Sequence, residues 1–186
     1  MQRKLNHIRH SNWPAAILLV TALAVTWIAY APGLGGSLHF DDRVNLSGLA
    51  YVNDTESALD FLATGPSSAI GRPLALASFV PEAYAWPDLT EVFLRTNILI
   101  HLLNGVLVAW FLYLLGRAQH HPERKAALIS VTAGSIWMLM PLLASSSLFI
   151  VQRMTTLAAM FVLLGAVAYL YARRGINARP YVALCG

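Results

Sequence analysis

Four long apolar stretches constrain this chain more than any other feature of its sequence. They cover residues 14–31, 92–115, 126–143 and 154–172. Each supplies roughly the 20 mainly apolar residues that a transmembrane helix needs. The composition agrees, because only 12% of the 186 residues are charged, against about 25% in soluble domains. We therefore expect an all-α fold, a polytopic transmembrane helical bundle of four spans.

The first stretch follows a basic segment, as the core of a signal peptide does. Its mainly apolar run of 18 residues is longer than the roughly 7–15 residues of a typical signal core. The residues that follow, 30–36, contain no clean small-x-small cleavage site. The sequence therefore favours an uncleaved first span over a signal peptide.

The basic residues predict the orientation of these spans. They cluster in the N-terminal tail, between the second and third spans, and after the fourth: Arg3, Lys4, Arg9, Arg117, Arg124, Lys125, Arg173, Arg174 and Arg179. Loops rich in Lys and Arg stay in the cytoplasm, so we expect a cytoplasmic N-terminus. Eight of the nine acidic residues lie in the 32–91 segment, which is then an outer loop.

The outer loop, residues 32–91, is too long for a simple connector. Helical patterns occur at 54–62, where Asp54 or Thr55 is a cap candidate, and at 73–80. Both are apolar on one face, which predicts a loop that lies along the membrane.

Residues 180–186 have the composition of the start of a fifth span, so we expect the chain to be the N-terminal part of a longer protein. The single cysteine, Cys185, excludes a disulfide framework.

Two charged motifs in the outer loop are candidates for chemistry. Asp41 and Asp42 follow the first span, and adjacent carboxylates can bind a divalent cation or act as a general base. The same pair also fits a turn or a helix cap with solvated acids. Arg72, at the start of a predicted helix, can offer its planar guanidinium to a phosphate. It also fits an arginine that extends from the interface to water.

Polar residues within and beside the spans form a second group of candidates. Asn97, His101 and Asn104 are spaced i, i+4, i+7 and share one helix face. Such residues normally face the bundle interior, where they join helices by hydrogen bonds or line a ligand cavity. Gln152 and Arg153 precede the fourth span on the side predicted for Asp41 and Arg72. Arg153 then either joins a charged site there or anchors the helix end.

Several function classes lack their sequence signatures. The chain has no phosphate-binding Walker loop, no Rossmann glycine fingerprint and no His-Glu-x-x-His zinc motif. Its basic residues are explained by membrane topology, and no nucleic-acid-binding motif accompanies them. We therefore expect the lipid bilayer, and no nucleic acid, among its partners.

Four short motifs together resemble a known family. They are Phe40-Asp41-Asp42 with Asn45, Gly71-Arg72-Pro73-Leu74, residues 97–104 with Asn97, His101 and Asn104, and Val151-Gln152-Arg153-Met154. In this order they resemble the N-terminal part of GT-C-type membrane glycosyltransferases, nearest to bacterial relatives of the transmembrane, tetratricopeptide-repeat O-mannosyltransferases. The resemblance covers nearly the whole chain but only the first four or so spans of that architecture.

The resemblance implies transfer of a sugar from a polyprenyl-phosphate donor to a protein or glycan acceptor, on the outer face of a bacterial inner membrane. Asp41 or Asp42 would be the catalytic base and, if a divalent cation takes part, its ligand. The implied donor-phosphate residues are Arg72, Arg153 and His101, supported by Asn97, Asn104 and Gln152. Relatives often carry His-Pro at the outer end of the third span, where this chain has Met140-Pro141, so any role of that histidine is absent here. The tetratricopeptide repeats lie beyond the part of the family that the chain resembles.

A second hypothesis belongs to a different class. In it the chain is a non-catalytic membrane protein whose outer loop scaffolds a partner. The enzyme hypothesis predicts that Asp41, Asp42, Arg72 and Arg153 converge on one cavity. The scaffold hypothesis predicts an exposed apolar patch and no cavity.

Overall fold

The computed structural model describes residues 12–65 and 72–176, and the regular elements in these ranges are helices without any strand. The described residues form eight α-helices joined by short 3₁₀ turns. They are α1 (Trp13–Tyr30), α2 (Phe40–Leu46), α3 (Thr55–Thr64), α4 (Pro73–Ala77), α5 (Thr90–Ala118), α6 (Glu123–Met138), α7 (Ala144–Leu148) and α8 (Arg153–Ile176). The expected all-α class is confirmed for this part of the chain.

Among the described residues, three helical segments are long and apolar enough to cross a membrane: Trp13–Gly35, Thr90–Ala118 and Ile150–Arg173. They coincide with the first, second and fourth apolar stretches of the sequence. Their length and composition indicate an integral membrane protein. The predicted start of a fifth span, residues 180–186, lies outside the described residues.

The third apolar stretch is bent, which differs from the single helix expected over 126–143. Glu123–Met138 and Pro141–Leu148 meet at 54° and reach the length and hydropathy of a span only as a pair. Pro141 has no amide hydrogen to continue α6. It also disfavours helical backbone at Met140, whose ψ is 122°. Residues 12–65 and 72–176 therefore contain three candidate spans, or four if the bent pair crosses as one.

Helix α5 is the centre of the bundle, with α6 and α8 packed along it and α1 against α6. The side chain of Asn12 donates to Glu123 Oε1 at 2.8 Å, and the Tyr30 hydroxyl donates to the Met138 carbonyl at 3.4 Å. These contacts join the two helix starts and the two helix ends, so α1 and α6 run parallel. The starts of α5 and α8 are joined in the same way by Asn97, which donates to the Ile150 carbonyl at 3.2 Å.

The 32–91 segment folds onto the starts of α5 and α8. Its apolar residues and theirs form one buried cluster: Leu46, Leu49, Phe61, Leu76, Phe79, Ala83, Ala85, Phe93, Leu94, Ile150 and Met154. Helix α3 begins after Asp54, whose carboxylate accepts from the Ser57 amide at 2.8 Å. That hydrogen bond lowers the pKa of Asp54 below its ordinary value. The helix expected at 73–80 ends at Ala77, and a 3₁₀ turn, Val80–Ala85, follows.

Candidate functional site

The two adjacent aspartates lie in the first turn of α2. Because neighbouring residues of a helix point in different directions, their environments differ. Asp42 Oδ2 accepts from the His39 amide at 2.8 Å and so caps the helix. Its other oxygen, Oδ1, accepts from the Val151 amide at 2.7 Å. Asp42 is fully buried, whereas Asp41 is exposed. Asp42 therefore fastens α2 to the turn before α8 and leaves Asp41 as the carboxylate open to solvent.

Arg153, the first residue of α8, is fully buried. Its guanidinium makes four hydrogen bonds, which use four of its five N–H donors. They reach Asn97 Oδ1 at 2.7 Å, the Ser78 carbonyl at 2.8 Å, Glu82 Oε2 at 2.6 Å and the Phe93 carbonyl at 2.9 Å. The predicted donor-phosphate arginine thus has no solvent-facing surface in this structure. Its contacts join α8 to α5 and to the 32–91 segment.

Glu82 and Thr96 belong to the same network, although neither was a candidate in the sequence. One Glu82 oxygen accepts from Arg153 and the other from the Thr96 hydroxyl. Asn97 completes the network, because its amide group donates to the carbonyls of Phe149 and Ile150. A lone acid within the apolar 79–86 segment was the one available signal for Glu82. Its partner lies 71 positions away in the chain, a distance that no local pattern spans.

His101 and Asn104 join helices at a separate place along α5. His101 is 2% exposed and stacks against Tyr30 and Trp137, each with ring centroids 5.2 Å from its own. Its Nε2 lies 2.9 Å from the Met138 carbonyl. Asn104 donates to the Thr156 carbonyl at 2.9 Å. In this structure both residues hold α5 to its neighbours, the first of the two roles that their spacing allows.

A cavity of about 460 Å³ lies between α4 and the first two turns of α8. Its lining residues are Arg72, Pro73, Leu74, Ala75, Met154, Thr155, Leu157, Ala158 and Phe161. Arg72 is the charged residue of this lining, and it is exposed. Among the described residues its guanidinium makes one polar contact, 3.8 Å from Met154 Sδ. The cavity therefore combines one accessible cation with apolar walls.

The α8 wall of this cavity follows from helical periodicity. Met154, Leu157, Ala158 and Phe161 are spaced i, i+3, i+4, i+7, which places them on one helix face. The sequence carried this signal, but a leucine or phenylalanine on a spanning helix is as easily explained by contact with lipid. Only the position of α4 beside that face makes it a cavity wall.

The four residues expected to converge on one cavity do not do so, because of Asp41, Asp42, Arg72 and Arg153 only Arg72 lines it. Asp42, Arg72 and Arg153 meet instead at the short segment 151–154, without Asp41. Asp42 binds the Val151 amide, Arg72 contacts the Met154 sulfur, and Arg153 lies between these positions. Gln152, one of the supporting residues, accepts from the Thr155 hydroxyl at 2.9 Å, and Thr155 is part of the cavity lining.

In the part of the chain that the structure describes, no cluster of metal ligands lies near the two aspartates. Within residues 12–65 and 72–176, no group of three or more His, Cys, Asp and Glu side chains is arranged to hold a metal ion. Both oxygens of Asp42 already accept backbone amides. The arrangement therefore offers anion binding through Arg72 as its clearest chemistry.

Comparison with protein-family models, curated proteins and solved structures found no match. The likeness to GT-C glycosyltransferases therefore rests on the order of the sequence motifs.

Proposed function

We propose that this chain is the N-terminal portion of a membrane glycosyltransferase that takes a sugar from a polyprenyl-phosphate donor. The observation that carries the proposal is the cavity headed by Arg72 and walled by α8. A polyprenyl phosphate has the same two parts, an anionic head and a branched apolar chain. The acceptor would be a protein or glycan at the outer face of the membrane.

The charge and shape of the cavity support such a ligand. The planar guanidinium of Arg72 can donate two parallel hydrogen bonds to phosphate oxygens. Leu157 and Phe161 continue the lining along α8, in the direction that a lipid chain would take. The volume of about 460 Å³ lies within the roughly 300–1,000 Å³ of typical ligand sites.

In the proposed reaction each charged residue has a separate task. Asp41 is the exposed carboxylate and would take the proton of the acceptor hydroxyl as that oxygen attacks the sugar. Arg72 would stabilise the negative charge that develops on the departing lipid phosphate. Asp42 and Arg153 would hold α2, α4 and α8 in place without contacting the donor. This assignment moves Arg153 from phosphate binding to support of the site.

The proposal also includes a topology. We assign the bent α6–α7 pair to one span, which gives four spans and a cytoplasmic N-terminus in a bacterial inner membrane. Several large side chains of the 32–91 segment are exposed and would lie in the outer interface: Phe40, Tyr51, Leu59, Leu74 and Tyr84.

The donor site is tested by binding of radiolabelled polyprenyl phosphate to the chain in lipid nanodiscs. Arg72→Gln is expected to weaken binding by at least about tenfold, since hydrogen bonds to charged groups contribute roughly 1.5–3 kcal/mol. The matched control is Arg95→Gln. Arg95 is exposed, lies near the start of α5 and pairs with Glu91, so the variant removes an equal charge away from the cavity. Its affinity should change less than about twofold.

Two competitors separate this site from a general lipid groove. Polyprenol, which lacks the phosphate, and phosphatidylglycerol, which has an ordinary lipid chain, should both displace the probe poorly. Equal affinity of Arg72→Gln and the wild type would refute the phosphate assignment. Strong displacement by polyprenol would indicate a merely apolar groove and would also refute the phosphate assignment.

A further inference from the structure

The short helix α4 is held at both of its ends by consecutive residues of α8. Arg72 precedes α4 and contacts Met154, whereas the Ser78 carbonyl that follows α4 accepts from Arg153 Nη1 at 2.8 Å. A five-residue helix has little stability of its own. Its position over the cavity therefore depends on these attachments and on its buried contacts, above all those of Leu76.

The attachment at Ser78 shares the Arg153 guanidinium with Glu82. The Glu82 carboxylate lies 2.6 Å from Arg153 Nη2, and its side chain is 13% exposed. The guanidinium also lies over the Phe79 ring, 4.3 Å from the centroid. A buried guanidinium is tolerated where a carboxylate and further acceptors compensate its lost hydration. Without the charge of Glu82, Arg153 would be drawn toward other acceptors or water, away from Ser78.

We infer that the Arg153–Glu82 pair positions Arg72 for the lipid phosphate, an inference that rests on the proposed function. Arg153 is a positioning residue: it holds α4 through Ser78 and Glu82 and does not touch the ligand. Neither Arg153 nor Glu82 belongs to the cavity lining. The pair thus sets the distance between Arg72 and the α8 wall, and with it the affinity for a lipid phosphate.

The variant Glu82→Gln separates positioning from direct phosphate binding by the sign of its effect. If Arg153 bound the phosphate, removal of the neighbouring negative charge would strengthen binding or leave it unchanged. If Arg153 positions α4, the same variant weakens binding. We expect roughly tenfold lower affinity for polyprenyl phosphate in nanodiscs, which corresponds to about 1.4 kcal/mol. Glu82→Asp retains the charge and should lose less affinity than Glu82→Gln.

A distance measurement without ligand tests the position of α4 separately from the proposed function. Spin labels are placed at Leu74→Cys and Tyr169→Cys in a Cys185→Ser background. Tyr169 is exposed and lies 11 residues beyond the cavity-lining Ala158, roughly 16 Å along the helix. In Glu82→Gln the distance distribution should broaden. A control pair within the bundle, Leu103→Cys with Tyr169→Cys, should keep its distribution.

The outcomes are distinguishable. Affinity that is unchanged or higher in Glu82→Gln overturns the positioning role, as does an unchanged distribution from α4. If Glu82→Gln does not fold, Glu82→Asp carries the test. Its side chain is one methylene shorter and cannot reach both Arg153 and Thr96 as Glu82 does, so a smaller loss is still expected, and unchanged affinity and distances in that variant count against the inference. If the wild-type chain binds no polyprenyl phosphate, the proposed function fails, while the spin-label result still reports whether the pair holds α4.

Discussion

The two adjacent aspartates show how one helical turn gives identical side chains different roles. Asp42 is the third residue of α2, where its carboxylate can bend back to the His39 amide. The other oxygen of the same carboxylate accepts from the Val151 amide, and this contact buries the Asp42 side chain. Asp41 projects from a different side of the same turn and remains exposed. The chemistry of each carboxylate is therefore decided by its place in the turn.

Substitution by asparagine should separate these roles. Asp42→Asn leaves one acceptor oxygen and turns an amide group toward a backbone N–H, so two donors would face each other. We expect a loss of about 1–3 kcal/mol in the free energy of unfolding. Asp41→Asn should leave stability within roughly 0.5 kcal/mol and abolish sugar transfer. Unfolding in detergent mixtures and transfer by the whole gene product measure the two effects.

The opposite result for either variant would contradict the role assigned to that aspartate. Transfer that continues in Asp41→Asn would remove Asp41 as the base. An Asp42→Asn variant as stable as the wild type would show that the contact with Val151 contributes little to the fold.

At the scale of elements, the contact between α5 and α6 depends on the absence of a side chain. A Cβ added at Gly134 would lie 2.8 Å from Ala109 Cβ and 3.2 Å from the Gly105 carbonyl oxygen. Small residues permit this approach of helix backbones, as in other membrane bundles. Met138 occupies the space beside Gly105 in the same interface, since a Cβ there would lie 2.1 Å from its Cγ.

Gly134→Leu should therefore force the two helices apart. We expect it to destabilise the bundle by about 1–3 kcal/mol, the usual range for overpacking. The matched control is Gly165→Leu on α8, where an added Cβ has nothing within 4 Å and the change should stay below about 1 kcal/mol. Thermal unfolding of both variants in the same detergent compares them. Equal loss in the two would show that the α5–α6 contact is not tightly packed.

At the scale of the whole molecule, the Arg153 network lies at one end of the bundle, where it is the densest group of side-chain hydrogen bonds among the described residues. The 32–91 segment caps the starts of α5 and α8, and the Arg153 network joins them. The other end consists of the connection between α5 and α6 with its basic residues. Only one orientation of such a molecule across the membrane places its Lys- and Arg-rich connection on the cytoplasmic side.

Labelling in intact cells tests that orientation. In a Cys185→Ser background, Tyr84→Cys, at an exposed position, should react with a membrane-impermeant maleimide added from outside. Gln119→Cys, exposed between α5 and α6, should react only after the membrane is permeabilised. Labelling of Gln119→Cys alone in intact cells would reverse the proposed topology. If neither cysteine reacts even in permeabilised cells, the exposure of Tyr84 and Gln119 in the structure would be contradicted.

The locations of the main helices could be predicted from the sequence, because an apolar stretch long enough to span a membrane is recognisable without knowledge of what it packs against. The stretches at 14–31, 92–115 and 154–172 each correspond to a helix with ends displaced by a few residues. The bend at Pro141 was not predicted: a single helix was expected over 126–143, because proline can kink a spanning helix without ending it, whereas the structure bends there by 54°. The cap of α3 was predictable because Asp54 and Ser57 are close in the chain.

The site required the tertiary structure, because its contacts join residues far apart in sequence. Arg153 reaches Ser78 and Glu82 only after the 32–91 segment has folded onto α5 and α8. That packing turns an arginine with two plausible roles into a buried support and leaves Arg72 as the accessible cation. Periodicity and charge thus determine which helices form and which residues are polar. Which of those residues a ligand can reach is decided by burial, a property of the packed molecule.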